Sequence, residues 1–243
     1  MTDDADASND TPTATGRRSQ RPALLVIGAI GLLVLGAAVG LLLALPLRDD
    51  APATPAADSV DVGFAQDMSV HHSQAVEMSA IALTGTSDPG VRSLAYDILT
   101  TQQEQLGRMQ AWLSLWGQPG MPSGGYMAWM TEPSGDAHSG HGDAHDSGDM
   151  HHSGPTDSMP GMASSADMAA LRQATGTEAD VLFLQLMLRH HEGGLPMMQY
   201  GAQYASVGDV RDLAQTMVDT QEGESRLMTD MLAQRGAQPL PVN

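Results

Sequence analysis

Hydrophobic and polar positions change rhythm several times along this chain. Residues 1–22 are polar and small, without periodicity, which predicts a disordered tail. From Ala23 to Leu47 there follow 25 residues with no charge. As a helix this run is about 37 Å long, enough to cross a hydrocarbon core of about 30 Å with some tilt. Further on, Phe64, Met68, His71, Ala75, Met78 and Ala82 recur in alternating steps of four and three, the seam of a helix. A second seam runs through Val91, Ile98, Gln102, Gln105, Met109, Trp112 and Trp116. Between the seams Gly85-Thr86-Ser87-Asp88-Pro89 forms a turn, with Asp88 as N-cap and Pro89 at the first helical position.

The same plan occurs twice. Shifted by 119 positions, residues 64–117 fall on 183–236 without a gap and with 16 identities in 54 positions. Phe64, Gln66, Met68, His71, His72 and Met78 meet Phe183, Gln185, Met187, His190, His191 and Met197. Val91, Arg92, Leu94 and Ala95 meet Val210, Arg211, Leu213 and Ala214. One αα-hairpin cannot bury its own seam, whereas two can do so as a four-helix bundle. The predicted fold is therefore all-α: a bundle of two repeated αα-hairpins over residues 60–237, preceded by one transmembrane helix over 23–47.

The connections complete the organisation. Residues 48–59 read as a short stiff tether and residues 118–165 as a low-complexity linker. Arg17, Arg18 and Arg21 precede the uncharged run, while Arg48 beside Asp49 and Asp50 follows it. The positive-inside rule then predicts a cytoplasmic N-terminus, a single pass through the cell membrane and an extracytoplasmic bundle. The alternative is a cleaved leader and a secreted product, with Ala51-Pro52-Ala53 as the cleavage pattern.

Composition narrows the chemistry. With 29 acidic and 11 basic residues the net charge is −18, which argues against nucleic acid as a partner. Zero Cys excludes disulfides, thiolate metal sites and a cysteine nucleophile. The 17 Met are unusual in a chain of 243. No Glu-x-x-His pair of a di-iron bundle, no His-Glu-x-x-His zinc motif and no phosphate loop occurs, so nothing signals an enzyme.

The seams carry polar exceptions that line up. If each hairpin turns near Ser87 or Ser206, antiparallel pairing brings His71 to the level of Gln102 and Gln105. It brings His190 to the level of Gln221 and Glu224. Met68 and Met109 lie near the first layer, Met187 and Met228 near the second. Imidazole and thioether form a soft ligand set suited to copper, with Cu(I) favoured over oxygen-seeking cations. A hydrogen-bonded network that only fixes register accounts for the same layers, and spacing alone does not choose between the two. In the linker His138, His141, His145, His151 and His152 stand among seven Met from Met121 to Met168, a compositional metal-capture signal whose alternative is a spacer.

Met68-x-x-His71-His72-x-Gln74-Ala75-Val76-x-Met78, then Gln102 to Leu113, together with Phe183-Leu184-x-x-Met187-x-x-His190-His191-Glu192-Gly193, resemble the bacterial domain of unknown function 305 family. The resemblance covers roughly residues 60–236. It implies a ferritin-like four-helix bundle, and for some relatives copper binding. Carried over by position, the implied ligands are Met68, His71, His72, Met78, Met187, His190, His191 and Met197, and Met198 joins them beside Met197. Where the family commonly has Glu, this chain has Gln105, whereas Glu224 is kept. Pro196 is expected to kink its helix beside these residues. The functional expectation is a membrane-anchored, extracytoplasmic copper protein that sequesters or hands over the ion; the alternative is a helical structural or interaction module.

Overall fold

The computed structural model of the protein describes residues 21–44, 54–131 and 156–243. Among these residues there are six helices: α1 (Arg21–Ala44), α2 (Val60–Gly85), α3 (Pro89–Leu115), α4 (Ser165–Gln173), α5 (Thr177–Tyr204) and α6 (Gly208–Gln234). No strand is present among them, only two isolated bridges, Thr86 with Gly176 and Tyr126 with Thr156. The chain divides into two units, Met1–Ala53 and Thr54–Asn243.

The first unit corrects an expectation. Helix α1 coincides with most of the uncharged run, yet among the described residues no helix is long and apolar enough to cross a membrane. The single-pass anchor over 23–47, the cell-membrane location and the membrane as partner are therefore not supported.

In the second unit α2 pairs with α3, α5 pairs with α6, and α2 packs on α5 to join the hairpins. Helix α3 starts as the sequence predicts: the Asp88 carboxylate accepts from the backbone N–H groups of Gly90 at 2.7 Å and Val91 at 3.0 Å, with Pro89 next in line. Helix α6 has no side-chain cap of its own, because Val207 occupies the place of Asp88. The turn before each of these helices is also bonded across the hairpins. Asp61, at the start of α2, accepts from Ser206 N at 3.1 Å and Val207 N at 2.8 Å. Asp180, at the start of α5, accepts from Ser87 N, Ser87 Oγ and Asp88 N at 2.9, 2.8 and 3.2 Å. Asp61 and Asp180 obey the same offset of 119, so each repeat caps the turn of the other.

The connection between the hairpins differs from a plain spacer. Met127, Trp129, Met159 and Ala163 are buried. Trp129 stands edge-on to Phe64 and Tyr200, and its indole N–H donates to Asp67 at 2.7 Å. Gly63 permits this approach: a Cβ there would lie 2.3 Å from the Trp129 ring. Gln74 holds the other end by donating to the Ala163 carbonyl and accepting from its N–H. These Met residues thus have packing roles, contrary to the linker reading. Helix α4 was not foreseen, although its capping box, Ser164 with Asp167, is a sequence-level signal. Helix α5 continues through Pro196 to Tyr204, so the proline does not end it.

Candidate metal centre

Where α2 meets α5, four imidazoles are withdrawn from solvent: His71, His72, His190 and His191 are each at most 1% exposed. Sequence periodicity placed one member of each pair in the seam; packing of hairpin on hairpin buries both. The His71 and His190 rings lie face to face across the two hairpins, with centroids 3.7 Å apart and planes inclined by 34°. The flanking pair is held within each hairpin, His72 Nε2 to Gln105 Oε1 at 2.8 Å and His191 Nε2 to Glu224 Oε2 at 2.7 Å. The sequence register had put His71 and His190 opposite those partners. The observed pairing belongs to the next residue in both repeats.

These contacts fix protons. A carboxylate only accepts, so His191 donates from Nε2; the His71 carbonyl likewise makes the His190 Nε2 a donor, at 3.1 Å. By the repeat, His72 donates to the Gln105 carbonyl in the same way. Each of these rings then keeps an Nδ1 lone pair, and none of these Nδ1 atoms has a partner. Neither ring nitrogen of His71 has one, nor does either amide atom of Gln102 or Gln221. Buried polar atoms are normally satisfied, so such a concentration calls for an explanation.

Burial keeps three of the rings, His71, His72 and His190, free of a second proton. Burial lowers His71 well below the ordinary imidazole value, His72 and His191 add to this, and the Pro160 carbonyl opposes it without reaching hydrogen-bond geometry. Burial likewise lowers His190, helped by His71, His191 and His72. His72 is lowered to about 4 by burial, with the Gln105 hydrogen bond opposing. At neutral pH these three rings are neutral, the form that ligates metals.

Two glycines allow the arrangement. A Cβ on Gly194 would come within 2.7 Å of the His71 ring, and one on Gly193 within 2.4 Å of the Pro160 backbone. The sequence signal was available: paired glycines inside a helical pattern mark close approach. The candidate thioethers are all fully buried, but in two clusters. Met68, Met109, Met197 and Met198 pack in one, with Met78, Met187 and Met228 in the other. Among the described residues no three His, Asp or Glu side chains converge as a ready metal-ligand set. The linker histidines His138, His141, His145, His151 and His152 lie outside the described residues.

The family model described as domain of unknown function (DUF305) matches residues 61–232. A candidate secreted DUF305 protein of Streptomyces coelicolor is 44% identical, with a TM-score of 0.64, covering 76% of this chain and 99% of its own. A DUF305 fragment from Deinococcus radiodurans is 34% identical, with a TM-score of 0.54, covering 72% of this chain and 96% of its own. The Cu(I)-bound form of a protein called CopM is 19% identical with a TM-score of 0.51, covering 72% and 96%, a likeness of fold. No curated protein matches the chain.

Proposed function

The chain belongs to the DUF305 family, and from that premise we propose that it binds a soft metal ion, copper with Cu(I) favoured, for sequestration or handover. The observation that carries this reading is the close His71–His190 pair, three of whose four ring nitrogens have no partner, flanked by His72 and His191. Neutral imidazoles bind without proton competition, and low coordination suits Cu(I) better than harder cations. Met68, Met78, Met109, Met187, Met197, Met198 and Met228 supply thioethers within the same bundle, and Glu224 orients His191 as a supporting carboxylate. The existence of a Cu(I)-bound relative in fold, CopM, agrees with this choice of metal. The ligand-bearing domain is residues 60–237, read as a ferritin-like four-helix bundle, with the histidines of the 118–165 connection as a weaker, separate capture set.

A second reading has its own support. The His72–Gln105 and His191–Glu224 bonds are what a register-fixing layer in a structural or interaction module requires. One experiment separates the two: Cu(I) competition against a chelator, with Cu(II) and Zn(II) alongside, on wild type and on H71Q/H190Q. Metal binding predicts a loss of Cu(I) affinity of more than about 10-fold with little change in metal-free stability. Wild-type affinity with a large loss of metal-free stability refutes the ligand role in favour of the structural layer.

A further inference from the structure

The two hairpins are equal in plan but not in access. Between α5 and α6 lies a pocket of about 130 Å³ lined by His191, Glu192, Gln221, Glu222, Ser225 and Arg226. A water occupies about 30 Å³ of liquid, so a partly hydrated ion fits. The repeat explains why the pocket is there. At the offset of 119, Ser225 corresponds to Leu106, whose side chain is 7% exposed and packs into its own hairpin. Serine in place of that leucine exchanges an isopropyl group for a hydroxyl and leaves most of the isopropyl volume unfilled.

Charge changes at the same place. Glu192, Glu222 and Glu224 occupy the positions held by the uncharged Ser73, Gln103 and Gln105 in the first hairpin. Arg226 is the one opposing charge in the pocket lining, 3.7 Å from Glu222. At the inner wall Gln221 is 3% exposed, yet neither its amide oxygen nor its nitrogen has a partner. His191 lines the same pocket, and its Nδ1 has no partner either. An acidic mouth leading to a buried imidazole and a buried amide with unpartnered polar atoms attracts a cation and then strips its water stepwise.

We propose that this pocket is the port through which a soft monovalent cation exchanges with the buried imidazoles, so that the second hairpin loads and unloads metal while the first only holds it. The proposal rests on the metal-binding reading above.

The test is stopped-flow uptake of Ag(I), a Cu(I) surrogate, by the metal-free full chain. S225L restores the first-repeat residue and should slow uptake and release together by about ten-fold or more, leaving stoichiometry and affinity unchanged. E192Q/E222Q, which changes only exposed side chains, should slow uptake and flatten its dependence on salt. This second variant decides the matter if S225L alters the far-UV spectrum. Wild-type uptake rates in both variants, with normal equilibrium binding, overturn the port and leave the metal-binding reading standing. No binding of Ag(I) or Cu(I) by the wild type overturns that reading and the port with it.

Discussion

The reciprocal carboxylate caps give a sharp test of how the hairpins are locked together. In Asp61→Ala the N–H groups of Ser206 and Val207 lose their acceptors, met now at 3.1 and 2.8 Å. Hydrogen bonds to a charged group contribute roughly 1.5–3 kcal/mol each, and an N-cap substitution typically costs about 0.5–2. Relief of the carboxylate's own burial offsets part of this, since Asp61 is wholly inaccessible. The expected cost is about 2–4 kcal/mol. Asp180→Ala should cost the same or slightly more, because its carboxylate also accepts from the Ser87 hydroxyl. Asp61 and Asp180 share no partner, so the double variant should be additive within about 0.5 kcal/mol. Asp61→Asn keeps one acceptor and turns an amide N–H towards the second donor, so it should recover only part of the loss. The assay is urea unfolding of the metal-free protein followed by far-UV circular dichroism. At roughly 2–4 °C per kcal/mol for a domain of this size, melting should fall by about 4–16 °C for each single variant. A change below about 0.5 kcal/mol in Asp61→Ala would mean that the α6 turn stands without the cross-hairpin cap, and the reasoning fails.

Other outcomes follow from the same geometry. Gly63→Ala should displace Trp129, at about 3–5 kcal/mol for lost aromatic packing less about 1 for better helix propensity, and urea unfolding with tryptophan fluorescence reads it. Deleting residues 120–160 should lower the melting temperature measurably, because it removes the buried Met127, Trp129 and Met159. Stability of the metal-free protein should fall as pH drops from 7 to 5. His72 is lowered from 6.5 to about 4 on folding, so its contribution is intact above 6.5 and is lost as pH descends towards 4. By pH 5 that amounts to about 2 kcal/mol, with His71 and His190 acting in the same direction. A urea midpoint that is flat over this range would contradict the burial of neutral imidazoles.

Periodicity and repetition determined much of this protein. The offset of 119 that aligns Met68-x-x-His71-His72 with Met187-x-x-His190-His191 shows a duplicated helical hairpin, and the turn chemistry at Asp88-Pro89 places the start of α3. These are local properties: a helix face follows from 3.6 residues per turn, and a cap from its neighbours. Register between helices is different. Pairing arithmetic about Ser87 set His71 opposite Gln105, while His72 makes that bond, because level along the axis leaves the helix's rotation open and adjacent residues point about 100° apart. Contacts between the hairpins were further out of reach. The stacking of His71 on His190, the Asp61 and Asp180 caps, and Trp129 seated over Gly63 each join residues from separate elements. Nothing within one helix encodes which surface of another will meet it. That choice belongs to shape, to glycines such as Gly194 that let a ring lie against a backbone, and to buried polar groups seeking partners across the fold. Periodicity thus reaches the four long helices of the hairpins and the inventory of ligand-type side chains, and the packing of one hairpin on the other selects which of them meet.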